Sequence, residues 1–194
     1  MKFLCEMCKN TDLTWLWSSL IGIFGVIVGW LLNALSNIGR LNFYIIKWSE
    51  EFKCFKQGVY TNATSYDETE GYSFQAIIDL FNNSGKQKIM RNMRVILMSK
   101  GKQVFECDLR DKKAIKTTIP LTTYEEISVV NIPPYTAIQL DLIGYLKLDE
   151  IAIITIKNTD SCYFSYIDDN NKQRKILIDK HSFKDFRATY KKGN

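Results

Sequence analysis

Residues 72–109 read YSFQAIIDLFNNSGKQKIMRNMRVILMSKGKQVFECDL, and this stretch decides the fold class. Tyr72 to Phe81 is apolar and rich in β-branched and aromatic residues, the composition of a half-buried strand. Asn82-Asn83-Ser84-Gly85-Lys86 then reads as a turn, because asparagine and glycine tolerate positive φ. Ile89 to Met98 returns as a strand, with Ile89, Met93 and Val95 or their neighbours inward. Ser99-Lys100-Gly101-Lys102 makes a second tight turn, and Gln103 to Leu109 a third strand. Consecutive strands joined by such short turns run antiparallel.

Downstream, Ile115 to Val130 has room for one or two short strands, and Pro133-Pro134 breaks the ladder because proline donates no hydrogen bond. Ala137 to Leu148 and Glu150 to Lys157 read as further strands. Tyr163 to Ile167 and Lys175 to Ile178 flank Asp168-Asp169-Asn170-Asn171 as a hairpin. Upstream, Leu41 to Trp48 is a strand that Phe52 and Cys54 extend, and Gln57 to Gly71 is a long polar loop. Eight or nine short strands without an internal helix point to an antiparallel β-sandwich or a small β-barrel. Over residues 72–178 the order of strands and turns looks like an immunoglobulin-like sandwich. The Cys…Trp…Cys core of antibody domains is absent, since no tryptophan follows Trp48. In the tail, Phe183, Phe186 and Tyr190 fall at i, i+3 and i+7, the spacing of a short amphipathic helix with basic residues opposite. Such a helix would cap the sandwich or lie on a bilayer.

Before the first strand, Leu13 to Gly39 (LTWLWSSLIGIFGVIVGWLLNALSNIG) holds no charged residue. About 20 apolar residues suffice to cross the hydrocarbon layer as a helix. A secretory signal is the competing reading, with Ala34-Leu35-Ser36 as its cleavage site. Glu6 and Asp12 in the amino tail and an apolar core far longer than a signal peptide's favour an uncleaved anchor. Trp15 and Trp17 near one end, and Trp30 near the other, suit the headgroup region, with Arg40 just beyond. Lys2 and Lys9 precede the apolar run; Arg40, Lys47, Lys53 and Lys56 follow it. The positive-inside bias therefore places the main domain in the cytoplasm, on the inner membrane. The expected organisation is an extracytoplasmic tail (1–12), a transmembrane helix (13–39), a β-sandwich (40–181) and a basic amphipathic tail (182–194). Within the helix, Ser18, Gly22, Gly25, Gly29 and Asn33 recur every three or four residues. Small side chains on one stripe let two helices approach closely, so a homo-oligomer through this face is expected.

The rest of the composition narrows function mainly by exclusion. The net charge of +5 is modest: of 26 Lys and Arg, only Lys2, Lys9 and Arg40 precede Leu41, and 21 Asp and Glu offset them. A nucleic-acid polymer is not an expected partner; a lipid bilayer is. Cys5-Glu6-Met7-Cys8 lacks a second pair for a zinc site, and Cys54, Cys107 and Cys162 read as reduced, buried thiols. His181 is the only histidine, and its neighbours Asp179 and Ser182 form no triad by adjacency. Asp67, Glu68 and Glu70, like Asp168 and Asp169, read as solvated turn residues. No metal, cofactor or enzymatic activity is expected. Lys86, Lys88, Arg91 and Arg94, with Arg174 in the later KQRK run, would make an anion-binding face for a small ligand. Arg91 and Arg94 lie an odd number apart, so sharing a face requires a bulge.

These readings converge on a membrane-anchored, non-catalytic binding or sensor module. Two alternatives share the same features. One is a membrane effector whose domain senses an anionic ligand and whose helices oligomerise to perturb the bilayer. The other is a subunit of an envelope complex, with a protein partner.

Overall fold

The structure, a computed structural model of the full chain, describes residues 14–118, 121–180, 186 and 189–192. The chain divides into two compact units, Met1–Gly39 and Arg40–Asn194. In the first, α1 (Thr14–Ser36) is one continuous helix, and its side chains from Trp17 to Leu32 are exposed. At ~1.5 Å per residue it is long enough to cross a bilayer.

The second unit is two antiparallel sheets. One has the order β12-β1-β3-β9-β6-β7, with β2 also pairing with β1; it comprises Thr189–Lys192, Leu41–Lys56, Gly71–Asn82, Ala137–Lys147, Arg110–Thr118 and Leu121–Glu126, with β2 at Val59–Asn62. The other has the order β11-β10-β4-β5, with β8 on β4; it comprises Gln173–Lys180, Ser161–Ile167, Lys88–Ser99 and Lys102–Asp108, with β8 at Val129–Ile132. Two separate sheets with edge strands make a sandwich, which sets the barrel alternative aside.

β1 organises the larger sheet. Its register against β3 slips between Ile45 and Lys47, so Ile46 is a bulge residue. Before the bulge, Leu41, Phe43 and Ile45 pack on the core; after it, Trp48, Glu50, Phe52 and Cys54 are buried. One inserted residue exchanges odd for even positions. Without it, Lys47 and Lys53 would point inward. Trp48 stacks on Phe74 with ring centroids 5.0 Å apart, and Phe74 faces Gly144 across the β3–β9 pair. A Cβ on Gly144 would land inside the Phe74 ring, so only glycine fits there.

Several expectations need correction. Glu150 to Lys157 is a helix, α2, and not a strand. Its β-branched composition suggests a strand, but Asp149 caps it by accepting from the Ala152 N–H at 2.7 Å. Ala152, Ile153 and Ile156 then reach the core at helical spacing, while Ile151 and Ile154 stay exposed. The supposed loop 57–71 contains β2, folded back on β1 through Gln57 and Gly58, both at positive φ. Residues 189–192 form β12 on the edge of β1, so the tail helix does not extend there. Residues 181–185, where Phe183 falls, lie outside the described residues. Phe186 packs against Phe52 and Tyr66, with centroids at 5.7 and 4.8 Å.

The turn after β3 is real but held differently from expectation. Among the described residues, Asn83 and Gly85 do not take positive φ. The wholly buried Asn82 does the work instead. Its Oδ1 accepts from the Ser84 N–H and hydroxyl, and its Nδ2 donates to the carbonyls of Lys86, Ile132 and Pro133.

Gly144→Ala should cost roughly 1–3 kcal/mol through overpacking, measured by chemical unfolding. Gly71→Ala should cost clearly less, because the atoms it meets belong to the half-exposed ring of Tyr145, which can swing aside. Phe74→Leu and Gly144→Ala combined should cost less than the sum of the two alone, because the smaller side chain removes the clash.

Candidate functional site

Of the predicted basic residues, Lys88, Arg91 and Arg174 meet at one end of the five-stranded sheet, and a bulge in β4 turns Arg91 and Arg94 to the same face. Asn92, inside β4, has φ +54°, a left-handed conformation that asparagine adopts more readily than most side chains. Across β4–β10, Arg94 pairs with Ser165 and Arg91 with Ile167: three residues against two. Arg91 and Arg94 thereby share the outer face. The same slip explains why Met90, and not Ile89, is fully buried along with Met93 and Val95.

Around them the β10–β11 turn supplies partners. Asp168, nearly buried, accepts through Oδ1 from the N–H groups of Asn170 and Lys172, both at 2.9 Å, and through Oδ2 from Arg174 Nε at 2.7 Å. Lys88 reaches Asp169 at 3.2 Å, and the Arg91 guanidinium donates to Asn171 Oδ1 and the Asp168 carbonyl. Arg94 is paired with Glu106 and with Asp108. Lys86 is exposed on the β3–β4 turn. Lys88, Arg91 and Arg174 therefore come together around one acidic turn, whereas Arg94 serves two carboxylates on β5. Between them a cleft of about 260 Å³ is lined by Asn92, Arg94, Glu106, Ser165, Asn171 and Gln173. Its cations and carboxylates balance, which suits a polar ligand better than a polyphosphate. A second cleft, of about 440 Å³, opens between β5 and β9 over Cys107, walled by Arg110, Tyr124 and Tyr145.

The organising role of Asp168 escapes a sequence reading that treats it as a solvated turn residue. Its one visible signal is the Asp-Asp-Asn-Asn-Lys run, in which a first-position carboxylate can bond the N–H two residues on.

In α1, Ser18, Gly22, Gly25, Gly29 and Asn33 lie on one helical face, and a Cβ at any of the three glycines meets nothing within 4 Å. The Asn33 carbonyl accepts from the Asn37 side-chain amide at 2.8 Å. Trp17 and Trp30 are exposed; Trp15 lies in the first turns of α1, and Arg40 opens the sandwich unit. Cys54, Cys107 and Cys162 are buried free thiols. Cys5, Cys8 and His181 lie outside the described residues. Among the described residues no three metal-ligating side chains converge.

A polar group that sequence did not flag sits in the core. Glu50 is 2% exposed, and the Tyr72 hydroxyl donates to its Oε1 at 2.5 Å. Burial pushes the Glu50 carboxyl up to about 7; hydrogen bonding by Tyr72 offsets part of this, and the charge of Asp179 adds to it.

Two antiparallel sheets packed face to face around an aromatic core define an immunoglobulin-like β-sandwich. Residues 39–179 match the family model described as the YopI Ig-like domain, and the chain belongs to that family. It is 24% identical over 159 residues to the SPbeta prophage-derived uncharacterized protein YopI of Bacillus subtilis strain 168, covering 80% of this chain and 89% of that protein. Among solved structures, it is similar to the putative ApaA protein of Bordetella pertussis, at 9% identity and a TM-score of 0.35 over 75% of this chain and 93% of that one. It is also similar to an uncharacterized β-sandwich protein of Clostridium difficile 630, at 13% identity and a TM-score of 0.31 over 72% and 86%.

The raised Glu50 carboxyl predicts a pH dependence of stability. The folded chain keeps a proton that the unfolded chain releases above about pH 4.5. Its contribution is therefore fully present below that pH and is lost as pH rises through 7, to the extent of about 3 kcal/mol. Urea unfolding at pH 5 and pH 8 should show this loss in wild type and a much flatter difference in Glu50→Gln.

Proposed function

We propose that this protein is a single-pass membrane protein whose immunoglobulin-like sandwich is a non-catalytic binding or sensing module at the cytoplasmic face of the inner membrane. The observation that carries the reading is α1. It is apolar, uncharged and exposed along Trp17 to Leu32, a surface that water disfavours and hydrocarbon accepts. The sandwich unit, meanwhile, has its own buried core. The excess of basic residues after the helix supports the orientation. The cleft beside Asn92 is the place where a polar ligand would be read.

Full-length protein should sediment with membranes and resist carbonate extraction. Protease added to intact spheroplasts should leave the sandwich uncut, and protease added to inverted vesicles should digest it. Soluble, uncleaved protein would overturn the anchor, and the reverse protease pattern would overturn the orientation.

The glycine stripe favours a second, compatible reading, in which paired helices act on the bilayer. Gly25→Leu/Gly29→Leu should abolish crosslinked dimers in native membranes. If the helices are effectors, the same variant should lose the depolarisation that induced expression of wild type produces with a membrane-potential dye.

A further inference from the structure

Four chain segments meet at one end of the sandwich. Arg40 begins it, and its carbonyl accepts from the Asn83 N–H at 3.1 Å, so the chain enters beside the β3–β4 turn. Asn82 ties that turn to the 133–136 loop through the carbonyls of Ile132 and Pro133. The Lys88–Asp169 pair brings in the β10–β11 turn. Arg40, Lys86, Lys88, Arg91, Lys172 and Arg174 belong to this end, and the acidic groups Asp168 and Asp169 are engaged by Arg174 and Lys88. Arg40, Lys86 and Lys172 remain exposed. Beside them, Tyr135 stands 58% exposed at φ +53°, just after the exposed Pro133-Pro134 pair.

We infer that this end of the sandwich is a lipid-facing surface that takes anionic phospholipid headgroups, with Tyr135 at headgroup depth. The inference rests on the membrane-anchored reading above. Three residues separate Ser36, the last of α1, from Arg40, so covalent geometry holds the two Cα atoms within roughly 14 Å. That ceiling is under two screening lengths of physiological salt (~8 Å each), and the long Lys and Arg side chains shorten the remaining gap, so exposed cations here still feel a charged leaflet. A tyrosine suits the same layer because its ring is apolar and its hydroxyl is wet. The surface is built to stay cationic: Asp168 is spent on backbone N–H groups and Arg174, and Asp169 on Lys88, so neither quenches the exposed lysines.

Hydrogen exchange of the full-length protein in nanodiscs tests this, with discs of phosphatidylcholine alone or with a third phosphatidylglycerol. Amides of residues 83–88, 135–136 and 169–172 should exchange several-fold more slowly in the anionic discs. High salt should remove the difference, as should Arg40→Glu/Lys86→Glu/Lys172→Glu, whereas Lys86→Arg/Lys172→Arg should retain it. Amides of β3 and β9 report that each variant is folded. Equal exchange in both discs, with the amides of 17–36 protected in each, would overturn the headgroup surface and leave the anchor standing. Equal slowing by inorganic phosphate in phosphatidylcholine discs would overturn it in favour of a free-anion site. Unprotected amides across 17–36 would overturn the anchor, and this inference with it.

Discussion

The stack of Trp48 on Phe74 over Gly144 is the contact on which the sandwich depends, and it exists because β1 carries one residue too many. The Ile46 bulge lets a single strand bury odd positions near its start and even positions beyond. A continuous 16-residue strand can therefore pair with β3 along nearly its whole length and still keep Lys47 and Lys53 on the outside. The same parity change turns Glu50 inward between Trp48 and Phe52. A carboxyl is a costly occupant of such a position, and the Tyr72 hydroxyl meets only part of that cost.

The second bulge, at Asn92, does for charge what the first does for the core. It aligns Arg91 with Arg94 and places the former over the β10–β11 turn, where Asp168 and Asp169 hold Arg174 and Lys88. The outcome is not a uniformly cationic sheet. Cations near the cleft are matched by Glu106, Asp108 and Asp168, while those on the turns and at the chain entry stay exposed. In the proposed reading, the cleft that would take a ligand and the exposed cations are neighbouring but separate sets of residues. Glu50, whose carboxyl is pushed up by burial, is sealed in the core.

Much of this is legible in the sequence. The apolar run, the strands from Tyr72 to Leu109, the proline break and the Asp168 hairpin each follow from local composition, because periodicity and turn chemistry act over a few residues. That Arg91 and Arg94 could share a face only through a bulge also followed from their spacing, but not that the bulge is there. The helix at Glu150–Lys157 was not legible: its isoleucines satisfy either period, and the Asp149 cap with the burial of Ile156 decides between them. Nor was the pairing of β12 with β1, which joins segments at opposite ends of the sandwich unit.

By itself, then, the sequence determined an uncharged helix, a chain of antiparallel strands and a supply of basic side chains, since all three are written in nearest-neighbour pattern. Only the tertiary structure decided which carboxylates neutralise which cations, that Asn82 and Asp168 are anchors and not solvated turns, and that a glutamate lies in the core. Those outcomes depend on register between strands far apart in the chain. A slip of one residue there reverses every side chain, and no local pattern encodes where the slip will fall.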